Sequence, residues 1–171
     1  MIHSRLDYAF YQRDVLDVCP ELIGKMLVRS FPDGSTFRSR ITEVEAYRGE
    51  EDLACHAARG RTPRTEVMYG EGGYVYVYLI YGMYWMLNIV TGLADHPQAA
   101  LIRGLEEVTG PGRVTKKLKI SGEFYGLNLV RSNMLWIEDH LVKADYITTQ
   151  RIGVDYAGAW KEKPWRFVME I

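Results

Sequence analysis

The stretch GGYVYVYLIYGMYWMLNIV, residues 72–90, sets Tyr74, Tyr76 and Tyr78 at every second place with Val75 and Val77 between them. Side chains alternate between the two faces of an extended chain, so a repeat of two reads as a strand with valines on one face and tyrosines on the other. The run is about long enough to cross a bilayer as a helix. Its alternation and its richness in aromatic and β-branched residues favour strands instead. Tyr81-Gly82-Met83 interrupts the apolar run and reads as the tip of a hairpin. Buried aromatic rings on a strand face are most often packing. A tyrosine beside a glycine at a hairpin tip has a second reading: a ring on a stiff support, the shape of a wedge that parts stacked bases.

Working outward, KMLVRSF and TFRSRITEVEAY read as strands joined by a turn at PDGS. VCPELIG reads as a short helix with Pro20 in its first turn and Gly24 closing it. The loop RGEEDLACHAARGR leads to TPRTEVMY, where Thr62 is placed to cap a helix with Pro63 at its first position. AALIRGLEEV reads as a buried strand, and GPGRVTKKLKI as a glycine-rich turn opening a basic helix. NMLWIED, ITTQRIGVD and PWRFVMEI supply three late strands. Strands outnumber helices without a regular βαβ rhythm. The expectation is an α+β fold: a single mixed domain spanning 1–171, with a curved, largely antiparallel β-sheet, flanking helices and a protruding β-hairpin.

The chain has 171 residues, 47% apolar and 25% charged, with a formal net charge of -1. Those values suit a globular domain and give no global basic signal, so nucleic-acid binding would depend on local patches. Cys19 and Cys55 show neither metal spacing nor a disulfide pattern, and MIHSRLDYAF lacks the apolar segment of a secretory signal. An intracellular, cytoplasmic protein is expected.

Alternation along ITEVEAY sends Ile41, Glu43, Glu45 and Tyr47 to one face and Thr42, Val44 and Ala46 to the other. Two carboxylates beside a phenol are either a solvated strand face or a general base at an aromatic surface. Asp52 and His56, four apart, would be neighbours on a helical turn and with Glu45 could mimic a metal site. One histidine and one aspartate in a loop are a weak signal, so no metal or other cofactor is expected. His56 reads better as a neutral hydrogen-bonding group. TGPGRVTKKLK offers free N–H groups at a helix start followed by Arg113, Lys116, Lys117 and Lys119, either a phosphate site or a solvated basic face. Arg103 ends the apolar run AALIR, and a charge at that depth needs a carboxylate or phosphate partner.

EVEAY, CHAARGRTPR, YVYLIYGMYWMLNIV, LIRGLE, GPGR and RIGVDYAG, in this order, closely resemble the alkyladenine (3-methyladenine) DNA glycosylase family. The likeness runs from about Tyr8 to about Met169. It implies a monofunctional DNA N-glycosylase of base-excision repair, which flips an alkylated purine from double-stranded DNA and hydrolyses its N-glycosidic bond. By the same resemblance Glu45 is the catalytic glutamate that activates water. Tyr47, His56 and Tyr78 hold the extruded base, and Asn88 disfavours guanine by crowding its exocyclic amine. Tyr81 fills the gap left in the duplex. Arg103 lies near the attacking water and the target phosphate, and the backbone carbonyl of Ile152 helps hold that water. Arg61, Met83, Tyr84 and Arg113 match DNA-contacting positions. The family's GPGK is GPGR here, and its GPED is GEED. A monomer with no membrane association is expected. Two other readings stand beside this one: a catalytically silent lesion-binding protein, and a sugar hydrolase using Glu43 and Glu45 as its carboxylate pair.

Overall fold

The computed structural model describes residues 3–171. Among them, nine strands form a sheet in which every pairing is antiparallel. In chain order these are β1 (Met26–Ser30), β2 (Thr36–Arg48), β3 (Val75–Ile80), β4 (Tyr84–Thr91), β5 (Gln98–Leu105), β6 (Val108–Thr109), β7 (Leu135–Glu138), β8 (Tyr146–Thr149) and β9 (Arg166–Met169). The spatial order β3-β4-β5-β2-β1-β7 makes the thirteen-residue β2 the spine, with β9 paired to it and β8 to β9. Three helices flank the sheet: α1 (Tyr8–Tyr11), α2 (Val15–Leu22) and α3 (Pro111–Leu118). None is long and apolar enough to cross a membrane. The mixed α+β class and its antiparallel sheet are as the sequence leads one to expect.

The valine–tyrosine alternation of β3 separates two cores. Val75 and Val77 join Leu87, Ile89, Ala100, Ile102, Val44 and Ala46 in the main core, which α2 and α3 cover. Tyr76 sits on the opposite side in a smaller cluster with Cys55, Ala57, Met68, Val90 and Ala99, against which Tyr47 and Tyr78 pack. One face of the sheet therefore makes the core and the other makes a site.

Several local expectations are corrected. Ile41 does not share a face with Glu43, Glu45 and Tyr47; it is fully buried in the main core with Val44 and Ala46. The cause is an irregularity in β2: Ile41 opposes Leu105 while Glu43 opposes Gly104, leaving Thr42 as an extra residue. One added residue flips the faces before it relative to those after it. Pro20 lies near the end of α2 and not in its first turn, because Asp14 caps the helix earlier, its Oδ1 accepting the Leu16 N–H at 2.9 Å. Thr62 starts a turn and not a long helix: its hydroxyl accepts the Thr65 N–H at 3.3 Å, and a single 3₁₀ stretch follows at Glu66–Tyr69. The strand expected over ITTQRIGVD ends at Thr149, and Arg151–Val154 is irregular chain turning back over the sheet.

Other expectations match. PDGS closes the β1–β2 hairpin, with Phe31 N–H donating to Ser35 O at 2.8 Å. At the β3–β4 tip, Tyr81 and Gly82 both have positive φ, 53° and 63°, and the Met83 N–H donates to Ile80 O at 3.1 Å. Two positive-φ residues at the centre are the mark of a type I′ turn, whose twist matches paired strands. Tyr81 holds a conformation that L side chains rarely adopt, and it is 86% exposed.

Candidate active site

Register places the site. Across four strands Tyr76 opposes Asn88, Asn88 opposes Leu101, and Leu101 opposes Glu45. Two residues along, Val90 opposes Ala99 and Ala99 opposes Tyr47. Tyr76, Asn88, Leu101, Ala99 and Tyr47 of these rows floor a cavity of about 430 Å³, within the about 300–1,000 Å³ of ordinary small-molecule clefts. His56, Arg64 and Met68 come to it from the connection between β2 and β3, Ile152, Gly153 and Val154 from the irregular chain after β8, and Tyr156 from the 3₁₀ stretch Asp155–Glu162 that follows. Tyr78 of β3, Arg103 of β5, Tyr81 of the hairpin and Pro111 of α3 also line it.

Glu45 lies fully buried behind this lining, and its neighbours are the groups that reach the cavity. Its Oε1 accepts from the Tyr47 hydroxyl at 2.9 Å and from Arg103 Nη1 at 3.4 Å, and its Oε2 accepts from the Ile152 N–H at 2.6 Å. Burial raises the Glu45 pKa above the usual carboxylate value, against the lowering effects of Arg103, the Ile152 N–H and the Tyr47 hydroxyl. A carboxylate offers about four lone-pair sites, so three bonds leave room for one more donor. The arrangement holds a carboxyl group of raised proton affinity against the lining of the cavity, where it can act as a base.

Glu43 has a different task. Its Oε1 accepts from Arg103 Nε at 3.0 Å and from Arg166 Nε at 2.6 Å. The partner that Arg103 needs is thus a pair of carboxylates on the adjacent strand.

His56 is held from two sides. Its Nδ1 lies 2.7 Å from the Tyr76 hydroxyl and 3.0 Å from Arg64 Nη2. Because a guanidinium only donates, the ring nitrogen facing it accepts, and the ring is neutral. Burial, with Arg64 and Arg59 nearby, pushes the His56 pKa down to about 4. Its ring centroid is 4.3 Å from that of Tyr78, nearly edge-on, and the Arg64 guanidinium stands 5.2 Å over the Tyr78 ring. Asp52, His56 and Glu45 do not gather: Asp52 is bound to Arg151, and each of the three faces different partners. Among the described residues no group of three or more potential ligands forms a metal site.

Of the remaining sequence candidates, Asn88 lies on the cavity floor and the others fall at the rim or beyond it. Asn88 is buried and donates its amide to Tyr76 O at 3.3 Å, and among the described residues nothing donates to its Oδ1. Tyr81, Met83 and Tyr84 form an exposed apolar tip. Gly112 fits against the Tyr84 ring, where a Cβ would lie 3.0 Å from the nearest ring carbon, so the start of α3 abuts the hairpin. Arg113, Lys116, Lys117 and Lys119 are exposed on or just after that helix. Arg61 is not free: it donates to Glu66 at 2.8 and 2.6 Å and reaches Asp95 at 3.4 Å. Ile152 donates its N–H to Glu45 Oε2 at 2.6 Å, a contact beside the carbonyl role that the resemblance implies. Arg64 and the Asp52–Arg151 pair were not assigned to the site from sequence. Tyr76 shares the tyrosine face by alternation and could have been found; Arg64 and Arg151 carry no periodic signal at all.

The methylpurine-DNA glycosylase (MPG) family matches this chain over residues 9–109 and 106–171. A relative from Wolbachia pipientis subsp. Culex pipiens is 48% identical over 98% of this chain and 91% of its own length. One from Methanocella arvoryzae is 41% identical over 92% and 88%, and one from Natranaerobius thermophilus 38% over 95% and 94%. All three are named, provisionally, as 3-methyladenine DNA glycosylases. With a match of this extent, laid over a sheet whose one face carries the Glu45 cavity, the chain belongs to the methylpurine-DNA glycosylase family.

Proposed function

We propose that this chain, acting as a monomer and as one catalytic domain, is a monofunctional DNA N-glycosylase of the 3-methyladenine class. It swings an alkylated purine out of duplex DNA into the aromatic cavity and hydrolyses its N-glycosidic bond. The observation that carries the reading is the continuity of one cavity, whose lining runs from exposed Tyr81 to Tyr47, Arg103 and Ile152, the three groups bonded to Glu45.

Tyr81 enters the base stack and occupies the vacated space, supported by the stiff turn beneath it. The extruded base rests among Tyr47, Tyr78 and His56, where edge and face contacts favour a flat, electron-poor ring. Neutral His56 offers a hydrogen bond without repelling a cationic base. A water between Glu45 and the sugar gives its proton to the carboxylate as its oxygen bonds the anomeric carbon. The C–N bond breaks with its electron pair going to the purine, which leaves as a neutral base. An alkylated purine is already a good leaving group, so one activated water suffices. No lysine lines the cavity among the described residues, which supports hydrolysis without a Schiff base. Selectivity follows from pocket fit and from the lower cost of flipping a weakly paired base.

The sugar-hydrolase reading is disfavoured because Glu43 and Glu45 both turn to Arg103 and do not flank a common space, as a glycosidase carboxylate pair does. The experiment is incubation with duplexes carrying 3-methyladenine, 7-methylguanine, hypoxanthine or ethenoadenine, followed by scoring of abasic sites. Abasic sites without strand cleavage are expected from at least the first. Tight lesion binding with no base release from any duplex is the outcome that rejects catalysis.

A further inference from the structure

Asp52 and Arg151 form an ion pair in which neither side chain has any exposure, with Nη1 to Oδ2 at 2.6 Å and Nη2 to Oδ1 at 2.9 Å. Arg151 also donates to Ala46 O at 2.9 Å and to Trp160 O at 3.1 Å, and its guanidinium lies 4.9 Å over the Tyr47 ring and 5.1 Å over that of Trp165. Asp52 accepts in addition the Arg48 N–H at 3.0 Å and the Ala54 N–H at 3.1 Å. The pair therefore ties together the end of β2, the segment bearing Ala54, Cys55 and His56, and the segment bearing Ile152, Gly153 and Val154. All three line the cavity.

A buried ion pair is a poor source of net stability, since desolvation offsets much of the attraction. Here Arg151 Nε is also buried without a partner among the described residues, a further cost. Among the described residues the backbone of residues 151–153 makes no hydrogen bond to another backbone group. The anchor nearest the Ile152 N–H, which lies 2.6 Å from Glu45, is thus the buried side chain one residue before it, with Val154 packed two residues after. We propose that Arg151, gripped by Asp52, is a positioning residue for the chemistry at Glu45: it holds the Ile152 N–H on the carboxylate and the Tyr47 ring against the cavity.

This rests on the reading of Glu45 as the base. The charged and titratable groups facing Glu45 are Arg103 on β5, Glu43 and Tyr47 on β2, Tyr78 on β3 and Cys19 on α2. Arg166 on β9 acts through Glu43. Of the donors to the carboxylate, the Ile152 N–H depends most on Arg151 for its place, because Tyr47 is also fixed by β2 and Arg103 by β5. Losing it removes a bond to the ionised form, so the acid limb of excision moves to higher pH.

The test is single-turnover excision from a 3-methyladenine duplex between pH 5 and 9 with Asp52→Asn, Arg151→Lys and, alongside, Glu45→Gln. The expected result for the first two is an acid limb displaced upward by about one pH unit, the effect of one lost hydrogen bond to a charge, with lesion-duplex affinity within about threefold of wild type. Arg151→Lys, which keeps the charge but not the fork, is expected to be the milder of the two. An unmoved acid limb, or an equal loss at every pH, overturns the proposal while leaving an inactive Glu45→Gln and the base reading intact. Excision retained by Glu45→Gln overturns the base reading and the proposal with it. Should either positioning variant fail to fold, the Ile152 amide in the wild-type protein decides. Slow hydrogen exchange and a chemical shift that titrates with the acid limb support the proposal. Rapid exchange with no titration overturns it.

Discussion

Replacing Glu45 with Gln removes the proposed base while preserving its shape. Three donors meet the carboxylate: the Tyr47 hydroxyl at 2.9 Å, Arg103 at 3.4 Å and the Ile152 N–H at 2.6 Å. A carboxamide has one oxygen, so its NH₂ must face at least one of those donors, at a cost of about 1–3 kcal/mol. Removing a charge from a fully buried position offsets part of that cost. The Glu45 pKa is raised in the fold, so the stability tied to its proton is present below the unfolded value and is lost as pH rises through the folded one. At neutral pH the wild type therefore carries a penalty that the amide lacks, and the melting temperature is expected to change by only a few degrees. Catalysis is affected much more. General-base assistance is worth about 10²–10⁴-fold, or about 2.7–5.5 kcal/mol. The assay is single-turnover release of 3-methyladenine, paired with a gel-shift measurement on the same duplex. Loss of excision by at least about a hundredfold with binding largely kept is expected. A variant retaining more than about a tenth of the wild-type rate refutes the assignment of the base.

Tyr81→Ser is expected to weaken lesion-duplex binding by about tenfold to a hundredfold, the worth of one stacked ring, while leaving the melting temperature almost unchanged because the side chain is exposed; unchanged affinity removes the wedge. His56, with its pKa pushed down to about 4 by burial and by Arg64 and Arg59, is neutral across the physiological range. Its ring-proton NMR shifts should stay flat from pH 8 to 5, and a midpoint near 6.5 contradicts the neutral ring. Stability linked to His56 is full above the unfolded histidine value and is lost as pH falls from about 6.5 toward about 4. Duplex affinity should fall steeply with salt, and Arg113→Ala should lower the slope of log K against log salt by about 0.9; a slope unmoved by that change takes Arg113 out of phosphate contact.

What is legible in the sequence is whatever depends on neighbours along the chain. Alternation in residues 74–78 predicts a strand with valines on one face and tyrosines on the other, and both faces fall as alternation requires; that the valines meet the main core and Tyr76 and Tyr78 the cavity was set by packing. The Tyr81-Gly82 tip followed from turn chemistry. Ile41 shows where such logic stops. Thr42 adds a residue to β2, and nothing in ITEVEAY marks the bulge, because it is defined against Gly104 and Leu105 on another strand. Arg103 advertised its need for an anionic partner, yet only pairing with β2 named Glu43 and Glu45.

The chain's amino acids alone thus determined its class, its hairpin and, through a resemblance carried by six ordered motifs, the residues worth watching. Tertiary structure alone decided that Arg61 is bound to acids, that Ile152 meets Glu45 by its N–H, and that Asp52 grips an arginine 99 residues away. The reason is physical. Strand period and turn preference are set by steric clashes within a few bonds, whereas a buried charge is placed by whichever distant group can satisfy it once water has been excluded.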